Sequence, residues 1–414
     1  MFAIMRSLWR FRMSRIWRLR RCKIILVFVF VLLFANWDHL VKNAENNERM
    51  AELPGWERNK SLKIGYYMDP MKNTTLLMPK NFCRSKILVV IAVCSSLEHF
   101  SKRQTIRETW GKTKEFNYGT FQKLHSHLDG KYLPIMTARL KLYLIGSGKS
   151  LSAKIRIVFI VGRAKQDSLL ESEKLYRESN DYNDIIQENF VDSYHNLTIK
   201  SVMVLKHISR SCARTSAFLL KCDDDSFVNV PNLIHFLLGG TIPLYKDTVE
   251  YHNLANYKVM SPWIRLNSTR GVMYGNKFCN MEANSDASSP WYMPEYMFAG
   301  AKYPQYLSGT GYLLSIDVVQ RLYEEALTTP LVHLEDVFVT GICAEKAGIQ
   351  RSHHPLFNYL HGKPLCTLKG IITLHPIPED KMLQAWNFVS NFNTKCPPPD
   401  RHGIKRFITE KSHC

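Results

Sequence analysis

The sequence predicts an α/β fold: a mainly parallel sheet with helices on both faces, preceded by an N-terminal signal-anchor helix. Three observations point to it. Ile87–Val93, Ile155–Val161 and Ala217–Leu220 are unbroken apolar runs, as expected of strands buried on both faces. Helix-patterned segments separate these runs, and strand–helix alternation is the pattern of a parallel sheet. Near the start, Ile24–Ala35 is uninterruptedly apolar and follows eight basic groups, with no acid, in residues 1–23.

That apolar run is short for a spanning helix, which needs about 20 residues, so a cleaved signal peptide competes with an anchor. The long basic flank and the lack of a small-x-small site after Ala35 favour the anchor, which can extend through Trp37 to Val41. Basic flanks stay cytoplasmic. The expected order is therefore a basic tail (1–23), a transmembrane segment (24–41), a polar stem (42–82), a folded lumenal domain (83–396) and a C-terminal tail (397–414).

A lumenal address fits two further features. The sequons at Asn59, Asn73, Asn196 and Asn267 are glycosylation candidates. Nine of the ten cysteines follow the anchor; an oxidising compartment should pair several and leave at least one over. There is no C-x-x-C, which argues against a structural zinc site or a thioredoxin-type centre. The formal charge is +19, but removing the N-terminal eight leaves +11 with no dense basic block, so a nucleic-acid partner is not expected.

Along the domain, Ile87–Val93 is a core strand and Ser101–Trp110 a helix with Ser101 as N-cap. Gly111–Ala153 has no clear periodicity and reads as a surface insertion or a faulty gene model. Ile155–Val161 is a second strand, closed by Gly162, and Asp167–Arg177 is helical. Asn196 or Thr198 opens another helix, with Val202, Leu205, Ile208 and Cys212 on one face. After the third strand, Tyr306–Leu314 is a glycine-punctuated strand or turn, leading to a helix with Val318, Leu322 and Ala326 in register. Leu334–Val337 opens a last helix that Gly348 can close.

Asp223-Asp224-Asp225 directly follows the third strand, at the strand end where open α/β sheets bind ligands. Adjacent like charges repel, and a hard divalent cation such as Mg²⁺ or Mn²⁺ relieves them. A solvated acidic turn is the plainer alternative. Arg103, Arg107 and Trp110 share a helical face that could meet a diphosphate, or could be a basic surface over a core tryptophan. Asp336, in Glu335-Asp336, falls at a helix start, where the dipole favours the ionised form; the pair suits either a general base or ordinary helix-start chemistry. Gly146-Ser147-Gly148-Lys149-Ser150 is no phosphate loop, because Tyr143 stands where the pattern needs glycine. His353, His354 and His361 read as polar loop residues, and His375 as either a core histidine or a cation ligand.

Arg103–Trp110 (RQTIRETW), Asn196–Lys200 (NLTIK), Asp223–Asp225, Ser308–Tyr312 (SGTGY) and Glu335–Val337 (EDV) occur in the order seen in the β-1,3-galactosyltransferase family, which also contains β-1,3-N-acetylglucosaminyltransferases. The chain resembles that family from about Lys86 to Cys396. The resemblance implies a GT-A-like Rossmann-type fold, a type II Golgi membrane protein, a UDP-sugar donor, a glycan acceptor on glycoprotein or glycolipid, Mn²⁺ dependence and inversion at the anomeric carbon. Carried onto this chain, Asp223, Asp224 and Asp225 hold donor and cation, with Asp225 the direct metal ligand, joined by Asp223 and His375. Asp336 is the implied base, and Arg103 and Arg107 are candidates for the donor side. Leu307 stands where many vertebrate members have cysteine, so their disulfide pattern does not transfer intact. The function expected is β-1,3 transfer of galactose from UDP-galactose. Alternatives are transfer of N-acetylglucosamine or N-acetylgalactosamine, or a catalytically silent membrane-anchored binding protein of the same fold.

Overall fold

The computed structural model describes residues 51–69, 72–126, 136–165, 169–248, 264–358 and 364–399. The expected anchor and basic tail, His361, Cys414 and most of the C-terminal tail lie outside them. Among the described residues, no helix is long and apolar enough to cross a membrane.

The first strand, β1 (Thr75–Leu77), comes from the stretch read as stem. It pairs antiparallel with β6 (Ile185–Val191) at the sheet edge, so this part of the supposed stem is built into the fold. Thr75-Leu76-Leu77 is too short to show a strand period; it is held by its pairing with β6. Next come β2 (Ile87–Cys94) and helix α1 (Phe100–Glu108). Every residue of β2 is buried, as its apolar run predicts. The N-cap of α1 is His99 rather than Ser101, whose hydroxyl instead donates to the Glu379 carboxylate.

Gly111–Ala153 is not a surface insertion. It forms β3 (Glu115–Asn117), α2 (Tyr118–Leu124) and β4 (Leu144–Ile145), with both strands paired to the start of β5 (Ser152–Arg163). Phe116, Tyr118 and Phe121 join the main core. Their spacing follows a short strand and then a short helix, too brief for either period to show. β5 runs through Gly162, whose missing side chain lets Phe190 O approach to 2.7 Å of where a Cβ would stand.

Helix α3 (Leu169–Tyr182) extends beyond the expected Arg177. After β6, helix α4 (Leu197–His207) starts behind Asn196 and widens into a π-helical turn over Ile208–Cys212. Val202, Leu205, Ile208 and Cys212 are all buried, as expected. The acid-bearing strand is β7 (Ser216–Asp223), followed by β8 (Phe227–Val228) and α5 (Val230–Leu237). Beyond these lie β9 (Met273–Phe278), β10 (Tyr306–Ser315), α6 (Ile316–Thr328) and α7, a π-helical stretch Val337–Cys343 continued by Ala344–Lys346. Gly348 follows with φ +62°, the left-handed conformation expected of a helix-closing glycine. The last elements are β11 (Ser352–His353), β12 (Phe357–Asn358), α8 (Leu365–Lys369), β13 (Thr373–Leu374) and α9 (Glu379–Ser390).

The large sheet runs β1-β6-β5-β2-β7-β10-β9-β11. Its heart, β6-β5-β2-β7, is parallel. From β7 outward it is mixed, since β10 lies antiparallel to both β7 and β9. The sheet is therefore less parallel than expected; a strand buried on both faces reads alike in either direction. Helix α4 packs on β2 and β5, and α6 on β7 and β10.

Residues 51–58 and 284–299 form a separate small unit around buried Trp56. In it, Tyr296 Oη donates to Trp56 O at 2.7 Å and accepts from the Leu53 amide at 3.0 Å. Disulfides join Cys83 to Cys212 and Cys366 to Cys396, while Cys94, Cys222 and Cys343 are free and buried.

Candidate active site

Strand register assembles the site. In the parallel β2–β7 pair Cys94 stands beside Asp223, so the acidic triplet emerges next to the loop Ser95–Leu97. In the antiparallel β7–β10 pair Gly311 faces Cys222, which carries Ser308-Gly309-Thr310 past the end of β7, alongside the acids. Ser226 Oγ donates to Thr310 O at 3.1 Å. A second, three-stranded sheet, β12-β13-β8, pairs Leu374 with Phe227. The Ile377 amide then donates to Asp225 O at 2.8 Å, so the segment around His375 is tied to the triplet.

The triplet divides. Asp223, Asp225 and His375 each offer a ligand atom, all within 4.8 Å of one another. His375 Nε2 lies 3.0 Å from Asp225 Oδ1. Burial raises the Asp225 pKa, but the hydrogen bond and charge of His375 bring it below the usual carboxylate range. Two carboxylates and an imidazole at this spacing fit a divalent cation, with oxygen donors that suit Mn²⁺ or Mg²⁺.

Asp224, expected on the donor side, is not part of that cluster. Its carboxylate is buried and turned to α1, accepting from Ser95 Oγ at 2.8 Å and Lys102 Nζ at 3.1 Å, with His99 Nδ1 at 2.7 Å. A turn explains the split: β7 ends at Asp223, and the Ser226 amide donates to Asp223 O at 3.1 Å, so Asp224 and Asp225 occupy the bend and point to different neighbours.

Arg103 and Arg107 also depart from expectation. Arg103 is only 1% exposed. Its five N–H groups go to the two Glu178 oxygens, Ser95 Oγ, Ser96 O and Leu97 O, leaving none for a diphosphate. Arg107 bonds both Asp184 oxygens at 2.9 Å and Glu178 at 2.7 Å, with its guanidinium 3.9 Å from the Tyr182 ring centroid. Both arginines hold α1 to α3 and β6, and Arg103 shapes the loop beneath the triplet. Helical spacing showed that they share a face, but not that Glu178 and Asp184 wait on it. Trp110 is a core residue.

Lys221 is the functional residue that the sequence reading passed over. It is 1% exposed, and its ammonium meets Asp223 Oδ1 at 2.8 Å, Gly309 O at 2.8 Å and Glu335 Oε2 at 3.2 Å. Burial alone would lower its pKa, but Asp223 and Glu335 raise it well above the usual lysine value, so it is a fixed positive charge. A lysine inside a core strand, next to three acids, was the available signal.

Through Lys221 and Gly309 the acidic end of β7 connects to Asp336. The Gly309 amide donates to Asp336 Oδ2 at 3.2 Å, and the Val337 amide to Oδ1 at 2.9 Å. A Cβ on Gly309 would stand 3.0 Å from Glu335 Oε2, so glycine permits this close approach. Glu335 is held by Tyr312 Oη at 2.5 Å. Asp336 caps α7, as expected, yet the helix start does not control its proton affinity. Burial, then the charge of Glu335, push its pKa up to about 6, outweighing the two amides. A carboxylate with that affinity, still ionised at neutral pH, suits a general base.

Of the sequons, Asn59, Asn73 and Asn267 are exposed. Asn196 is half-buried, its amide donating to Val191 O at 2.8 Å, and Thr198 Oγ1 is buried against Val332 O and His333 O.

A family model described as galactosyltransferase matches residues 101–355. Beta-1,3-galactosyltransferase 1 of Homo sapiens and of Mus musculus are each 31% identical over 78% of this chain and 81% of their own. Lactosylceramide 1,3-N-acetyl-beta-D-glucosaminyltransferase B of Danio rerio is 30% identical over 67% of this chain and 58% of its own. Among solved structures, mannosyltransferase PcManGT from Pyrobaculum calidifontis in complex with GDP-Man and Mn2+ matches with a TM-score of 0.29 at 10% identity, covering 81% of this chain and 73% of that one. That likeness is too loose to add to the family match.

Proposed function

Because the chain belongs to the galactosyltransferase family and is thus a sugar-transferring enzyme, we propose that it moves galactose from UDP-galactose to the 3-hydroxyl of an acceptor glycan, inverting the anomeric centre to give a β-1,3 linkage. The observation that carries this reading is the hydrogen-bonded path from the Asp223/Asp225/His375 corner through Lys221 and Gly309 to Asp336. It joins a cation corner and a tuned carboxylate in one site.

A divalent cation held by Asp223, Asp225 and His375 would stabilise the charge that develops on the departing diphosphate. Asp336 accepts the proton of the acceptor's 3-hydroxyl while that oxygen attacks the anomeric carbon from the side opposite UDP. The bond from sugar to diphosphate breaks as the new bond forms, and its electron pair leaves on UDP. Lys221 bonds Asp223 and Glu335 and fixes their orientation, while Asp336 keeps a raised proton affinity. Because its pKa stands near 6, Asp336 is a stronger base than an ordinary aspartate and is ionised at neutral pH.

The test is a donor screen. The full chain, with Mn²⁺, is offered UDP-galactose, UDP-N-acetylglucosamine and UDP-N-acetylgalactosamine with a panel of glycans, and the product linkage is determined by NMR. A β-1,3-galactosyl product is expected. Preference for an N-acetylhexosamine would shift the assignment toward the activity named for the Danio rerio relative. Glycan binding without UDP release from any donor would leave only the silent binding protein.

The proposed setting is the Golgi membrane, single-pass type II, with the catalytic domain lumenal. Residues 24–41, the exposed sequons and the Cys83–Cys212 and Cys366–Cys396 disulfides support it. Loss of mass on enzymatic removal of N-glycans, with the C-terminus protected from protease in intact vesicles, is the expected result.

A further inference from the structure

A UDP donor brings two phosphates to a corner that is itself acidic, so beyond any bound metal the protein needs a cation of its own nearby. This inference rests on the transferase reading and asks which residue supplies that cation. Arg103 has no N–H left, and Arg107, its side chain 10% exposed, holds Asp184 and Glu178 while its remaining Nη1 is buried. Lys221 has spent its three N–H groups on Asp223, Gly309 and Glu335. Lys200, with its side chain 5% exposed, is fastened to Asp192 at 2.7 Å and to Ser95 O.

Lys102 differs from all of these. Its side chain is 28% exposed, and one contact, to Asp224 Oδ1 at 3.1 Å, fixes the ammonium while leaving two N–H groups unassigned. Its ammonium is bonded to Asp224, the residue between Asp223 and Asp225, which places it beside the metal corner. His99, 41% exposed, touches the other oxygen of Asp224 through Nδ1 and leaves Nε2 outward. Asp224 thus grips two open nitrogen-bearing side chains while Asp223 and Asp225, on either side of it, form the cation corner.

We propose that Lys102, held by Asp224 and flanked by His99, is the cation this protein presents to the diphosphate of the donor, and that Asp224 is a positioning residue rather than a donor or metal ligand. This accounts for a buried carboxylate in the middle of the triplet: its work is to aim an ammonium.

The experiment compares wild type with Lys102→Met, Lys102→Arg and Asp224→Asn, using the full chain. UDP and uridine affinities are measured by calorimetry in Mn²⁺, and donor KM and kcat separately. Thermal melting confirms folding; Lys102 lies at the surface, so its variants test the idea even if Asp224→Asn unfolds. Losing one charge-assisted contact should weaken UDP binding and raise donor KM by about tenfold or more, with kcat less affected. Uridine binding should be unchanged, and Lys102→Arg should restore most of the UDP affinity. Asp224→Asn should lose UDP affinity in the same direction, with little further loss when combined with Lys102→Met. Unchanged UDP affinity and KM in Lys102→Met overturns the proposal, as does equal weakening of uridine. If wild type neither binds UDP nor transfers sugar, the transferase reading itself fails, which is a different result.

Discussion

Two carboxylates in this molecule have opposite fates. Glu188, on β6, is fully buried. It accepts from Thr74 Oγ1 at 2.6 Å and Thr75 Oγ1 at 3.0 Å, with His207 Nε2 at 2.6 Å and Lys206 Nζ at 3.8 Å. Burial would raise its pKa, but the bonds from His207 and Thr74 and the charges of His207 and Lys206 hold it below the ordinary glutamate value. Asp336, at the head of α7, has two backbone amides and a negative neighbour, and its pKa rises to about 6. Burial pushes both groups the same way; the partners decide the outcome. A carboxylate surrounded by cations and hydroxyls becomes a clasp, here fastening the edge strand β1. One beside another acid, with cationic help assigned elsewhere, keeps its appetite for a proton.

The largest expected effect breaks the reactive member. Asp336→Asn removes the base and should lower kcat by about 10²–10⁴-fold with UDP affinity retained; normal transfer would remove Asp336 from the mechanism. The clasp should fail differently. Glu188→Gln leaves His207 and Lys206 facing a neutral amide and should cost about 3–5 kcal/mol of stability, the usual range for breaking a buried pair. Chemical denaturation reads that loss, and kcat of the folded fraction should stay near wild type.

pH sharpens the contrast. Because the folded pKa of Asp336 is raised, kcat should fall about tenfold per unit as pH drops below about 6. The same shift makes ionised Asp336 a destabilising group, a burden relieved as pH falls from about 6 toward the unfolded value near 3.8. Glu188 works in reverse: its folded pKa is depressed, so its contribution is present above the unfolded value near 4.5 and disappears as pH falls through the folded one. Activity should therefore be lost at a higher pH than stability, and coincident transitions would contradict the assignment. The smallest effect concerns β1 alone. Thr75→Val, which also ends the Asn73 sequon and is therefore compared with wild type after both are freed of N-glycans, removes one hydroxyl from Glu188 and should cost about 1 kcal/mol, read as earlier proteolysis between residues 70 and 80.

What the sequence disclosed follows from where each signal is stored. The runs of β2, β5 and β7 are continuous and apolar because both strand faces are covered, so strands and acid-bearing strand end were legible. Asp336 was legible through the EDV segment and its place at a helix start, but its raised proton affinity was not, because that comes first from burial by distant elements, with the charge of Glu335 second. Arg103 and Arg107 were misassigned because their partners, Glu178 and Asp184, lie more than 70 residues away in the chain. β1 was hidden for the same reason: three residues find their meaning only against β6. His375 stayed ambiguous until β13 paired with β8 and brought it to Asp225.

That pairing has a consequence for biosynthesis. Asp223 and Asp225 leave the ribosome about 150 residues before His375, so the two acids exist for some time without their imidazole companion. At about 5–20 residues per second, the interval is roughly 8–30 seconds. A chain ended after Asp336 but before His375 carries the acids and the base but an unfinished metal corner. Premature termination just upstream of residue 375 also removes α9 and the Cys396 half of a disulfide, and should thus yield an idle polypeptide, sparing the cell half-made transferase activity.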